Sequence, residues 1–156
     1  MSADYKLTMA GARLCLCEER TLYSTAKIES PWDAADVLSR EMKALPNEVV
    51  MVVNLDYANR PINFSLVSAG CISHSEVAVR DVFKTAILAN AASIMVMHNH
   101  PSGQLSPGKP DKQLTKKIVD AGRLMDIPLM DHIIVAGISG ETYSFRENNP
   151  EIFERR

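Results

Sequence analysis

The chain has 156 residues, which is enough for one domain with a buried core and too few for a complete (β/α)8 barrel of roughly 250 residues. Seventeen Lys and Arg oppose nineteen Asp and Glu, and the net charge of −2 excludes a general basic field for nucleic acid. The three cysteines form neither a disulfide framework nor a paired zinc-finger spacing. The first residues carry no secretory pattern, and no apolar stretch reaches the roughly 20 residues of a membrane span. We therefore expect a cytoplasmic protein without a membrane segment.

The predicted elements begin with strands. Residues 6–17 and 24–28 show extended, β-branched patterns, so we assign residues 1–29 to N-terminal strands. Ser30 and Pro31 then form a helix start, with Asp33 in the first turn, and this helix is expected to end near Pro46. No linker separates these strands from residues 30–156, so the whole chain is expected to form one globular unit.

The remaining elements alternate between apolar runs of strand length and segments with helical spacing. In chain order they are a strand over 48–55, a second strand over 62–67 that forms a hairpin with it, a helix that begins at Ser75 and Glu76, a buried strand over 93–97, a helix that Pro110 and Asp111 open and that ends near residue 126, a strand over 129–135 and another over 141–145. The predicted fold class is α/β, a single α/β/α domain in which helices flank a mixed sheet. Polar loops at the strand ends are the usual place for a site in such a fold.

The segment with the clearest chemistry follows the strand over 93–97. His98 and His100 are two residues apart, so their side chains converge on one face if the strand continues through them. Asp111 follows eleven residues later at a helix start, after a loop rich in Pro and Gly that suits a tight return. Two imidazoles and one carboxylate leave the fourth position of a tetrahedral Zn²⁺ open for water, which is typical of a catalytic site. A bare His-x-His is weak evidence, but the aspartate and the loop favour a metal site.

The motif HNHPSG-x7-D at residues 98–111, followed by a helix over 113–126 and by LMDHIIV, resembles the RadC-like branch of the JAMM (JAB1/MPN) metalloprotein family. The similarity extends upstream through Glu48, Gly70 and Arg80, and it covers roughly residues 30–145. It implies a JAB1/MPN-like α/β/α fold with cytidine-deaminase-like layering. The helix-hairpin-helix region of longer RadC proteins is expected to be absent, which makes this chain resemble a stand-alone catalytic-type domain.

The resemblance also implies a site and a reaction. It assigns one Zn²⁺ to His98, His100 and Asp111, and it assigns the role of general base to Glu48, which opens the run EVVMVVNL. The implied reaction is hydrolysis of a peptide or isopeptide bond by metal-activated water, so the expected partner is a peptide or protein substrate. Glu76 is the rival carboxylate, but it fits better as an acid in the first turn of a helix.

One position departs from the family pattern. The family serine that donates a hydroxyl group to the oxyanion falls on Gly108 in this chain. Ser102 and Ser106 lie nearby and are the candidates for oxyanion or substrate contacts, although serines in such a loop also commonly stabilise turns. Loss of one oxyanion donor costs about 10²–10³ in rate, so weak activity is one expected outcome.

Three further polar residues near the motif have structural or functional interpretations. Asp131 and His132 are adjacent on a predicted strand, so they face opposite sides and do not both point at one site. We expect His132 to make a buried hydrogen bond, whereas Asp131 is either a partner of a zinc-bound imidazole or unrelated to the site. Asn99 lies between the two histidines, faces away from the metal and is expected to be structural.

Two alternative functions use the same motif differently. A metal-dependent nuclease is one alternative, supported by lysines close to Asp111 at positions 109, 112, 116 and 117, although such a patch is more often a solvated helix face. A non-catalytic binding or scaffold module that retains zinc is the other, supported by Gly108. The sequence does not indicate the oligomeric state.

Overall fold

A computed structural model describes residues 29–70 and 77–154 of the chain. The predicted strands before residue 29 and the predicted helix start at Ser75 and Glu76 lie outside these ranges. The elements of the described residues are, in chain order, α1 (Pro31–Met42), β1 (Val49–Leu55), β2 (Pro61–Ala69), α2 (Val79–Leu88), β3 (Ser93–His100), α3 (Lys109–Leu124), β4 (Leu129–Ala136), β5 (Thr142–Ser144), α4 (Phe145–Asn148) and a short 3-10 helix (Pro150–Ile152).

Helix α1 begins where the sequence predicts. The Asp33 amide donates to the Ser30 hydroxyl at 3.2 Å, and the Ser30 amide donates to the Asp33 carboxylate at 2.8 Å, which completes a reciprocal capping box. The buried face of α1, formed by Ala34, Leu38 and Met42, packs on the sheet. The helix ends at Met42, slightly before the expected end near Pro46.

The five strands form one mixed sheet in the order β2-β1-β3-β4-β5. Strands β3 and β4 are parallel, and the other neighbouring strands are antiparallel. Helix α1 covers one face of the sheet, and α2 and α3 cover the other, so the described part of the chain has the predicted α/β/α layers. Because both faces are covered, every residue of β1 is buried.

The β3–α3–β4 crossover positions the site. Parallel strands need such a crossover, and it brings the N-terminus of α3 back to the edge of the sheet where β3 ends. Strand β3 continues through His100, three residues beyond the predicted strand 93–97. Val50 of the antiparallel β1 pairs with His98, so Glu48, which directly precedes β1, comes level with His100.

The C-terminal end differs from the prediction of one strand over 141–145. Strand β5 comprises only Thr142–Ser144, and Phe145 begins α4. The Ser144 hydroxyl caps α4 by accepting from the Glu147 amide, and Phe145 is fully buried. Phe145 therefore belongs to a helical turn. A short apolar run does not by itself distinguish such a turn from a strand. No helix in the described ranges is long and apolar enough to cross a membrane.

Candidate metal centre

Strand β3 brings two imidazoles together at its carboxyl end. His98 and His100 project from the face of the sheet that α2 and α3 cover, and their Nε2 atoms are 2.9 Å apart. His98 is almost completely buried, and burial lowers the pKa of its imidazole well below the ordinary value, with smaller contributions in the same direction from His132 and His100. His100 is partly exposed at the mouth of the site. The pair therefore has a buried member and a member at the surface.

Asp111 is the third residue of α3, and it faces both imidazoles. Its Oδ1 atom lies 3.4 Å from His98 Nε2, and its Oδ2 atom lies 3.7 Å from His100 Nε2. Oδ2 also accepts a hydrogen bond from the Gly108 amide at 2.7 Å, so the same carboxylate caps the helix. The return of the loop to the imidazoles that the sequence predicts is therefore present.

Glu48 also lies close to the Nε2 atom of His100. Its Oε1 atom is 3.9 Å from His100 Nε2. Burial is the main cause that raises the pKa of this carboxyl above its ordinary value; the charge of His100 acts to lower it, and that of Asp111 to raise it. A carboxylate whose pKa is shifted towards neutrality is a better proton acceptor and donor for chemistry near pH 7.

The four side chains fit a single divalent cation. One donor atom from each of Glu48, His98, His100 and Asp111 lies within 4.8 Å of the others. In a tetrahedral zinc site, ligand atoms about 2.0–2.1 Å from the ion lie roughly 3.3 Å from one another, which is close to the distances among the two imidazoles and Asp111. His100 Nδ1 lies 2.6 Å from the carbonyl oxygen of Gln104, which only accepts, so Nδ1 carries the proton and Nε2 of the neutral ring is left with a bare lone pair. That lone pair points at the other donors, as a ligand to a metal requires.

The loop between β3 and α3 holds the two candidate serines. The Ser102 hydroxyl accepts from the Gln104 amide at 3.4 Å, and the Ser106 hydroxyl accepts from the Gln104 side chain at 2.8 Å. Because each hydroxyl is an acceptor in its loop bond, its own proton remains available for a further acceptor. Gly108 is the N-cap of α3, with an extended backbone (φ −73°, ψ 170°) that other residues also adopt.

His132 makes the buried hydrogen bonds that the sequence predicts. Its Nε2 atom lies 2.8 Å from His98 Nδ1, and its Nδ1 atom lies 2.7 Å from the hydroxyl of Thr115 on α3. Burial, with a smaller effect of His100, lowers the pKa of His132 to about 3. Nothing in the sequence motif points to Thr115, although this residue lies one helical turn after Asp111 and therefore on the same side of α3.

Asp131 lies on the other face of β4 and is not a partner of His98 or His100. Its carboxylate accepts from the Ser144 hydroxyl and from the Arg146 amide, so it holds the start of α4 against the sheet. This finding corrects the suggestion that Asp131 orients a zinc ligand. The adjacent side chains of Asp131 and His132 do face opposite sides, as strand geometry requires.

Asn99 is fully buried on the α1 face of β3 and binds the segment that carries Glu48. Its Oδ1 atom accepts from the Val49 amide at 2.8 Å, and its Nδ2 atom donates to the Asn47 carbonyl at 3.2 Å. The peptide groups on both sides of Glu48 are therefore tied to the strand that carries the two imidazoles. The expected structural role of Asn99 is present.

Comparison with known proteins relates this chain to one family. Residues 28–150 match the family described as RadC-like JAB domain. The chain is 39% identical over 137 residues to a UPF0758 protein of Roseiflexus castenholzii, an alignment that covers 88% of this chain and 57% of that protein. UPF0758 proteins of Chloroflexus aurantiacus and Caldanaerobacter subterraneus are 41% and 37% identical, over 77% and 92% of this chain and 52% and 60% of their own lengths. The chain thus spans between about half and three-fifths of these relatives.

Proposed function

Because the chain belongs to the RadC-like JAB domain family, we propose that it is a zinc-dependent hydrolase that cleaves peptide or isopeptide bonds. The observation that carries this proposal is the convergence of Glu48, His98, His100 and Asp111 at the end of β3. A peptide or protein as substrate and a cytoplasmic location are parts of the same proposal. The partly exposed side chains of His100 and Asp111 support access by a substrate from solvent.

The residues divide into ligands and a proton carrier. His98, His100 and Asp111 would hold the zinc ion, since their donor atoms are the closest together. When bound, zinc would lower the pKa of its water towards neutrality, and the ion would polarise the carbonyl group of the substrate. Glu48 accepts the proton of the attacking water at its carboxylate and later delivers it to the leaving amine. Its raised pKa suits both halves of this cycle.

Stabilisation of the oxyanion is the step for which the site has the fewest hydrogen-bond donors. Gly108 offers no hydroxyl group, and its amide already donates to Asp111. The free hydroxyl protons of Ser102 and Ser106 are therefore the candidate donors in the loop. Without such a donor we expect a rate about 10²–10³ below that of a complete site.

Two specific observations support other functions of the same centre. Gly108 favours a module that retains zinc and binds a partner without cleaving it. Exposed lysines on α3, at positions 109, 112 and 116, favour a nuclease, because they lie close in sequence to the proposed ligand Asp111 on the same helix. Both functions are outcomes of the test below.

The test is cleavage by the zinc-loaded protein of fluorogenic peptides, isopeptide-linked proteins and DNA. We expect about one zinc per chain, a sharp loss of zinc in His98→Ala, and cleavage of a peptide or isopeptide substrate. Glu48→Gln should retain zinc and lose about 10²–10⁴ in kcat, which is the usual contribution of a general base.

Gly108→Ser, with Gly108→Ala as the matched control, tests the oxyanion interpretation. The serine variant should gain activity and the alanine variant should not. If wild type and Glu48→Gln are equally inactive while both retain zinc, the proposal is wrong and the scaffold function is favoured. Cleavage confined to DNA would favour the nuclease.

A further inference from the structure

We infer that Thr115 is a positioning residue for the metal centre, which acts through His132 to set which nitrogen of His98 is free to bind the metal. The inference rests on the metal centre of the proposed function, but it does not depend on what the protein cleaves. It arises from a chain of three short polar contacts that runs from α3 through β4 to β3.

The first contact fixes the direction of the hydroxyl proton. Thr115 Oγ1 lies 2.7 Å from the backbone carbonyl oxygen of Asp111 and 2.7 Å from His132 Nδ1. A carbonyl oxygen only accepts, so the hydroxyl must donate to Asp111 for that contact to contain a proton. The hydroxyl has no second proton, and His132 Nδ1 must therefore be the donor in the other contact.

The tautomer of His132 in turn determines the tautomer of His98. A neutral imidazole with a proton on Nδ1 has an acceptor at Nε2. His132 Nε2 lies 2.8 Å from His98 Nδ1, so His98 donates its Nδ1 proton there. His98 Nε2 is then left with a bare lone pair, and it faces Asp111 at 3.4 Å and His100 at 2.9 Å. This is the only arrangement of the neutral groups that puts one proton in each of these three contacts. It leaves the contact between His98 Nε2 and His100 Nε2 without a proton, at the place where a metal ion would bind.

Burial makes the arrangement depend on these groups alone. Thr115 and His132 are fully buried, and His98 is nearly so. The ring of Phe145 stacks on His132 with centroids 4.9 Å apart and planes 12° apart, which holds the imidazole in position. Solvent therefore does not supply a replacement acceptor at His132 Nδ1 when the threonine hydroxyl is removed.

Removal of the Thr115 hydroxyl should reverse the donor and acceptor roles in the contact between His132 and His98. In Thr115→Val, a variant of nearly the same shape, His132 Nδ1–H loses its acceptor. The other tautomer of His132, with the proton on Nε2, then becomes favoured and donates to His98 Nδ1. His98 must in turn carry its proton on Nε2, where the proton competes with the metal. Loss of such an outer partner typically lowers metal affinity about 10–100-fold.

The experiment combines zinc affinity with the tautomers of the histidines. Zinc affinity is measured by competition with a chelator at fixed pH, for wild type, Thr115→Val, Thr115→Ser and the control Thr85→Val. Thr85 is a helix threonine that accepts from Asn54 at the far end of β1, so its loss leaves the metal centre untouched. We expect about 10–100-fold weaker binding in Thr115→Val, and affinity near that of wild type in Thr115→Ser and Thr85→Val.

Nitrogen-15 NMR of the metal-free wild-type protein reports the tautomers directly. We expect the proton of His132 on Nδ1 and that of His98 on Nδ1, and both on Nε2 in Thr115→Val. A His132 proton on Nε2 in the wild type would overturn the inference, even if Thr115→Val does not fold. Wild-type zinc affinity in a folded Thr115→Val would overturn it as well. A wild-type protein that binds zinc and cleaves nothing would instead overturn the proposed hydrolase and leave this inference intact.

Discussion

His98 and His132 show how burial affects individual side chains of the candidate metal centre and its surroundings. Desolvation lowers the pKa of both imidazoles, and His132, which is fully buried, reaches a value of about 3. Both rings are therefore neutral at pH 7, which is the form in which imidazole binds a metal. The lowered pKa values also destabilise the folded state at lower pH, because the imidazoles bind protons in the unfolded chain that they do not bind in the folded chain.

The pH dependence of stability follows from the sign of these shifts. The pKa of His132 is lower in the folded than in the unfolded state, so the unfolded state binds more protons below about pH 6.5 and the free energy of unfolding falls as the pH falls. Between pH 7.5 and 5.5 we expect a loss of about 1 kcal/mol from His132, and a further loss in the same direction from His98. Chemical denaturation of the metal-free protein at several pH values measures this loss.

The carboxyls of Glu48 and Asp131 act in the opposite sense, because burial raises their pKa values and the folded state takes up their protons first. His132→Gln therefore serves as the control that separates the histidine contribution. Its stability should change less steeply with pH than that of wild type. An equal slope in both proteins would contradict the assignment.

At the scale of elements, Asn99 couples two strands that supply different parts of the site. Strand β3 carries the imidazoles, and the segment before β1 carries Glu48. The hydrogen bonds of Asn99 to the Val49 amide and the Asn47 carbonyl join them from the opposite face of the sheet. These two hydrogen bonds thus hold Glu48 in its position beside His100.

We expect Asn99→Ala to affect Glu48 more than the metal ligands. The buried Val49 amide loses its acceptor, which should lower the free energy of unfolding by about 1–3 kcal/mol. Zinc affinity should stay within a few-fold of wild type, because none of the three ligands bonds to the Asn99 side chain. The kcat of the proposed hydrolysis should fall with little change in KM. Displacement of the general base removes an interaction that stabilises the transition state and leaves substrate binding unchanged.

Asn54→Ala is the matched control for this variant. Asn54 is a fully buried asparagine in the same sheet, and it lies six residues beyond Glu48 along β1, roughly 20 Å away. Its loss should destabilise the protein while kcat is retained. If Asn54→Ala and Asn99→Ala lower kcat equally, Asn99 acts through general stability and not through Glu48.

Gly137 shows a second constraint between elements, at the start of the site loop. Its amide donates to the His100 carbonyl at 2.8 Å, directly after β4. A Cβ atom at this position would lie 2.7 Å from the Pro101 carbonyl oxygen, which is closer than packed atoms approach. The glycine therefore lets the chain after β4 pass against the backbone that follows the candidate ligand His100.

At the scale of the molecule, the candidate metal centre joins parts that are distant in the chain. Glu48 just before β1, the pair on β3 and Asp111 on α3 come from three separate parts of the chain, and both carboxylates lie near the same imidazoles. An ion that binds this arrangement binds the folded state and not the unfolded chain. Metal binding should therefore stabilise the whole described domain.

We expect zinc to raise the free energy of unfolding by about 2.7 kcal/mol at a free concentration one hundred times Kd, and a chelator to reverse this effect. Thermal or chemical denaturation with buffered zinc measures the change. His98→Ala should respond to zinc far less than wild type. Stabilisation of His98→Ala to the same extent would place the ion elsewhere.

The sequence by itself determined much of the fold. The capping pattern at Ser30 predicted the start of α1, and apolar runs predicted β1, β3 and β4, because these signals depend on near neighbours in the chain. The motif around His98 and His100 predicted the family, which the match over residues 28–150 confirms. Short-range patterns failed at Phe145, where a buried apolar residue belongs to a helical turn and not to a strand.

Only the tertiary structure decided which polar side chains meet. Sequence spacing did not reveal that Thr115 contacts His132, because that contact joins α3 to the face of β4 on which the helix packs. It also did not decide between a site partner and a separate role for Asp131, which depends on where Ser144 and Arg146 return to β4. Hydrogen bonds between distant elements depend on packing and register, and these are properties of the folded chain as a whole.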